Sequence, residues 1–138
     1  MASKIEVANP DIVSMKGSFS WGLRVKEVQE WYYISGQVDI KADWQIGHPG
    51  DPVGQTRAVF KNLEAMLIRG GYSLDEVVRV ETTVTPQYNL AENFTKYQAI
   101  FAETFRTVAV KPSVGTLRVV EALAVPGIFI EIEMVAAK

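Results

Sequence analysis

The strongest constraint on the fold lies in a short segment near the C-terminus. Residues 128–135 read as a β-strand, and Ile128, Ile130, Ile132 and Met134 share one of its faces by the two-residue period. An all-apolar face of that length needs a covering layer, and helices elsewhere in the chain are expected to supply it. Phe129, Glu131, Glu133 and Val135 take the opposite face, mixing carboxylates with apolar groups. Such a face is neither plain core nor plain solvent surface. Two readings stand at this point: an ordinary half-exposed sheet, or a wall between subunits with a polar pocket in it.

The cover is legible in two stretches of helical period. Val59, Leu63, Met66 and Leu67 recur at i, i+4, i+7 and i+8, after Asp51-Pro52, an N-cap with proline at the first helical position. Gly70-Gly71 ends that helix by supplying a residue able to take positive φ. Leu90, Phe94, Tyr97 and Phe101 mark a second amphipathic helix that ends near Phe105. Aromatic and β-branched residues predict strands over residues 17–25 and 30–40, with the charged residues 26–30 as a hairpin connection. Residues 41–50 read as a loop and residues 73–76 as a capped turn. Residues 77–85 read as a strand stopped by Pro86. Residues 112–137 hold two more strands separated by Pro126-Gly127, and residues 1–12 read as a loosely held lead-in. The order is β-β-α-β-α-β-β: an α+β fold, a mostly antiparallel sheet with two helices on one face.

Composition narrows the function classes. The length of 138 residues fits one domain over 1–138. A net charge of −2 supplies no basic stripe for phosphates, so no nucleic-acid partner is expected. Without cysteine there is no disulfide framework, thiolate nucleophile or sulfur ligand for zinc, and no metal is expected. Residues 1–10 lack the apolar run of a signal peptide and no stretch has the length of a membrane span. The expected location is cytoplasmic, with no membrane partner. Asn93-Phe94-Thr95 matches a glycosylation sequon by chance, since it falls within the second helix.

An ordered set of short motifs then carries a resemblance. Ile130-Glu131-Ile132-Glu133-Met134-Val135-Ala136 is similar to the closing strand, V-E-I-E-x-x-A, of the Rid family (the YjgF/YER057c/UK114 group). Ile34-Ser35-Gly36-Gln37 resembles that family's S-G-Q strand. Gln55-Thr56-Arg57, Asn62-Leu63, and Gly71 followed by Leu74-Asp75 and Val77-Val78-Arg79-Val80 sit as in its first helix and third strand. Tyr97 and Phe101 match its second helix, so the resemblance spans residues 17–136. It implies a chorismate-mutase-like fold and a homotrimer with small-molecule clefts between subunits. It also implies imine or enamine deaminase (hydrolase) chemistry without a cofactor. The family's P-x-R-S/T arginine is missing. The matching stretch is Lys111-Pro112-Ser113-Val114-Gly115-Thr116, which puts Val114 or Thr116 at that position. Valine offers no fork of donors to a carboxylate. The family's tyrosine falls at Phe19 and its helical asparagine at Phe94, with Asn93 one residue aside and turned by about 100°.

The resemblance therefore places a site around Phe19, Trp21, Phe94, Val114 and Thr116, with Glu131 as the catalytic group that positions or activates a water. The bland alternative for Glu131 is a structural ion pair with a nearby Arg or Lys. Arg118 shares parity with Val114 and Thr116 in a regular strand, which makes it a candidate ligand contact, and Arg24 is a second. His48, the only histidine, is expected on a loop surface. Trp21, Trp31 and Trp44, with Tyr32 and Tyr33, serve either strand packing or a pocket for a planar ligand. Two functions compete: a Rid-like enzyme acting on an enamine, imine or related unstable intermediate, and a non-catalytic trimer that binds a metabolite or a protein. The ribonuclease label attached to some of the family gains nothing from this charge balance.

Overall fold

Asp51 opens the first helix as its sequence context predicts. In the computed structural model, which describes residues 2–138, its side chain accepts the Gly54 N–H at 2.9 Å and Pro52 occupies the first turn. The helix, α1 (Pro52–Arg69), buries Val59, Leu63 and Leu67 completely. The Gly70 N–H donates to the Met66 and Leu67 carbonyls at 3.0 and 3.1 Å, and Gly71, at φ +80°, turns the chain away.

The remaining elements in chain order are β1 (Ser3–Val7), β2 (Gly22–Lys26) and β3 (Trp31–Gln37) before α1. After it come β4 (Val77–Val84), α2 (Leu90–Thr104), β5 (Ser113–Val114), β6 (Arg118–Val119) and β7 (Ile130–Ala137). The central sheet runs β3-β7-β4, all antiparallel, and is extended at the free edge of β4 by β5 and β6, both parallel to it. The register sets Ile130, Ile132 and Met134 opposite Val84, Thr82 and Val80. These six are all buried, and with Phe60, Tyr97 and Phe101 of the helices they form the core. The apolar face of β7 is thus covered by helices, as its period demands.

Three expectations need correction. Residues 3–7 are not a loose lead-in: they pair antiparallel with β2, and Lys4 Nζ donates to the Asp75 carbonyl at 3.0 Å. Backbone bonds hold this strand; Ile5 and Val7 alternate with Lys4 and Glu6 at strand period, but its side chains are mostly exposed. Residues 26–30 are not a hairpin, because β2 and β3 belong to different sheets. Glu27 takes φ +58°, and Glu30 exchanges backbone hydrogen bonds with Lys138 at 2.7 and 3.0 Å, so the chain feeds into the edge beside β7. The penultimate strand is broken into β5 and β6 by residues 115–117.

Candidate active site at the sheet edge

The broken strand builds the site. Ser20 donates its N–H to the Pro112 carbonyl at 2.9 Å and its hydroxyl to the Lys111 carbonyl at 2.6 Å. These bonds pin the turn carrying Phe19 against β5. Gly115 N–H then reaches back to the Val80 carbonyl at 3.0 Å. The result is two adjoining concavities that share Phe19, Val114 and Gly115.

The deeper one, about 150 Å³, lies between the helix-covered sheet face and α2. Val80, Thr82, Tyr97 and Phe101 form its buried end, while Met15, Phe94, Gln98, Ala102 and Leu117 stand around the remainder. Thr82 Oγ1 and Tyr97 Oη hydrogen-bond at 2.6 Å, and burial pushes the Tyr97 phenol up to about 12, so it stays neutral. Phe94 stacks on Tyr97 with centroids 6.2 Å apart. The shallower groove, about 440 Å³, is lined by Ser20, Trp21, Arg79 and Thr116 besides the shared residues. Trp21 meets Phe19 edge to face at 5.1 Å and donates its indole N–H to the Val13 carbonyl at 2.8 Å.

Glu131 lies elsewhere. The register pairs it with Thr83, on the sheet face turned away from the helices. A Cβ at Gly36 would overlap its carboxylate, so the S-G-Q glycine makes the room it occupies. Among the described residues Glu131 has no hydrogen-bond or ion-pair partner, which removes the structural ion pair as its role within one chain. On the same face Glu81 and Glu133 stand directly opposite each other. A hydrogen bond to Glu81, with burial and the nearby Glu131 charge, raises the Glu133 carboxyl above its ordinary value. The bond to Glu133 and that from Arg79, at 3.0 Å, lower Glu81.

The structure thus divides the residues singled out in sequence. Phe19, Phe94 and Val114 meet at the deep cavity; Trp21 and Thr116 join Phe19 and Val114 at the groove. Arg118 does not share a face with Val114. Val114 pairs with Val80 and Arg118 with Thr83, so four steps along one strand match three along the other. The surplus residue reverses the parity and puts Arg118 on the open face. Asn93 is buried, its amide donating to the Tyr88 carbonyl at 2.7 Å, and is structural. The His48 ring, half exposed, bonds the buried Asp39 carboxylate through Nδ1 at 2.8 Å. Arg24 on β2, Trp31 on β3 and Trp44 in the loop before α1 line neither concavity. No group of metal-ligating side chains is assembled among the described residues.

Sequence reasoning missed Met15, Thr82, Tyr97 and Arg79 as lining residues. Arg79 and Glu81 are two apart on one strand face, a readable signal for an ion pair. Thr82 is a polar residue on an apolar strand face, which also asks for a buried partner. Met15 lies in a turn and gives no such signal.

This arrangement, with helices on one face of an antiparallel-rich sheet and a cavity at its parallel edge, defines a class, and known proteins give its family. Residues 13–138 match the family model described as Endoribonuclease L-PSP. A RutC family protein of Aquifex aeolicus is 29% identical over 96% of this chain and 98% of its own length. Another, from Pyrococcus horikoshii, is 36% identical over 53% of this chain, a stretch that spans 55% of that protein. The solved structure of the Rid-family protein YyfB from Yersinia pestis, itself of unknown function, superposes with a TM-score of 0.85 at 25% identity, covering 98% of each chain. A Thermotoga maritima protein described as a putative endoribonuclease gives 0.67 at 25% identity, over 97% of each chain. The chain belongs to the Rid (YjgF/RutC) family, and its fold is that family's fold.

Proposed function

We propose that this protein processes a small enamine, imine or related unstable intermediate in a cleft closed between copies of the chain in a homotrimer. The observation that carries the proposal is Glu131: a carboxylate without a protein partner, seated beside Gly36 on a sheet face that no helix covers. Hydrolysis of an imine needs little more than such a group. Glu131 takes a proton from water as the oxygen bonds to the carbon of the protonated imine, giving a neutral carbinolamine. The same carboxyl then gives that proton to the nitrogen as the C–N bond breaks and the hydroxyl proton passes to solvent, leaving a carbonyl compound and ammonia or a free amine. In one chain Glu131 and the deep cavity lie on opposite sheet faces, so a site using both draws them from different copies.

Wild type, Glu131→Gln and Gly36→Ala are to be compared on lyase-generated imines, following release of ammonia or carbonyl product. Gly36→Ala keeps the carboxylate but displaces it, and is expected to lose most of what Glu131→Gln loses. Wild-type activity unaffected by Glu131→Gln would end the catalytic assignment. One observation supports a second reading, a non-catalytic metabolite-binding trimer: the edge is lined by the apolar Phe19, Phe94 and Val114, at positions where the family resemblance implies polar contacts. An inactive wild type that still binds a small ligand at the edge would establish it.

A further inference from the structure

We propose that the deep cavity is a binding site for an uncharged, apolar molecule about the size of a single aromatic ring. This rests on placing the ligand at the Phe19–Val114 edge, as above, and not on imine hydrolysis.

Size is the first support. An enclosed apolar cavity of about 150 Å³ accepts benzene, and this one, open on one side, has that volume. Charge is the second. None of the side chains lining it carries a formal charge at neutral pH; its buried end holds aliphatic and aromatic groups and the Thr82–Tyr97 hydroxyl pair. Those two hydroxyls bond each other, so a ring gains contact without breaking that bond, whereas a carboxylate finds no cation there, only neutral donors such as Ser18 and Gln98. Shape is the third. Phe94 is 43% exposed yet stacked parallel to Tyr97, which leaves an aromatic rim at the entrance. The one guanidinium lining either concavity, that of Arg79, lines only the shallow groove and is held by Glu81. The cavity therefore selects against the charged group that an arginine at position 114 would attract.

Full-length protein with ¹³C-labelled methyl groups provides the test, because Met15, Val80, Val114 and Leu117 all line the cavity. Toluene should shift those methyl signals saturably, and benzoate, its charged counterpart, should bind at least about tenfold more weakly because its charge must be desolvated. Ala102→Phe, at an exposed helix position on the rim, should abolish toluene binding in a folded protein. Val114→Arg should reverse the preference towards benzoate. Benzoate binding as well as toluene in wild type, or no toluene shift at these methyls, would overturn the proposal. Neither result depends on the imine assay. Toluene binding by a protein inactive on imines leaves the cavity's selectivity standing and removes only the enzymatic reading.

Discussion

The two faces of the central sheet are built from the same strands and have opposite characters. On one, Ile130, Ile132 and Met134 meet Val84, Thr82 and Val80 beneath two helices, with Thr82 the only polar side chain and its hydroxyl paired to Tyr97. On the other, Glu131, Glu133 and Val135 meet Thr83, Glu81 and Arg79 with no layer above them in this chain. Alternation along a strand separates the two environments completely, because neighbouring residues point to opposite sides. One face is finished by this chain. The other is equipped with charge and left for water, a ligand or another copy.

Core truncation should show the largest contrast. Ile132→Ala should cost about 2–5 kcal/mol in denaturant unfolding, since it leaves a cavity under α1. Val135→Ala, half-buried on the open face, should cost under about 1 kcal/mol in an isolated chain. A cost for Val135→Ala that approaches that of Ile132→Ala, and grows with protein concentration, would show that face to be buried by assembly.

Next in size is the hydroxyl pair. Tyr97→Phe strands the Thr82 hydroxyl and should cost about 1–3 kcal/mol, whereas adding Thr82→Val should recover much of the loss. Recovery would show that the covered face tolerates polarity only in matched pairs. Additive losses would break that part of the comparison.

The smallest effect belongs to the open face and depends on pH. The folded-state value of Glu133 is raised, so its contribution is present below the unfolded value and lost as pH rises through the folded one. Glu81, lowered, behaves oppositely: its contribution is present above the unfolded value and lost as pH falls through the folded one. At neutral pH the cross-strand repulsion dominates, and solvent screening keeps it to a few tenths of a kcal/mol. Glu133→Gln, which retains a donor for Glu81, should therefore stabilise the protein slightly at neutral pH, with the gain vanishing in acid through the carboxylate range. A gain that persists in acid would mean the pair is not the source.

The covered face was legible in sequence, because its logic is local. The Val59, Leu63 and Leu67 stripe and the Ile130, Ile132 and Met134 alternation each announce a buried side without reference to the rest of the chain. The pairing of β1 with β2 was not read, since the alternation of Ile5 and Val7 with Lys4 and Glu6 is short and its apolar side is not buried. Nor was the separation of Arg118 from Val114, because parity arguments assume a continuous strand and the interruption at residues 115–117 reverses it. Of the site, the aromatic and aliphatic cluster of Phe19, Phe94 and Val114 was identified and does converge. Glu131 was identified too; it falls on the sheet face opposite the cavity, a separation within one chain that only the register reveals. The buried partners Thr82 and Tyr97 come from separate elements, and only tertiary packing joins them.

Whether the open face is completed by further copies of this chain decides most about the site, because Glu131 and the deep cavity fall on opposite faces of one copy's sheet. Sedimentation equilibrium of the full chain at neutral pH measures it directly. A mass three times that of the chain is predicted, with Val135→Arg, which sets a third guanidinium on that face beside Arg79 and Arg118, driving it down towards the single-chain value. A wild-type mass equal to one chain across the concentration range would contradict the account and leave Glu131 facing only water.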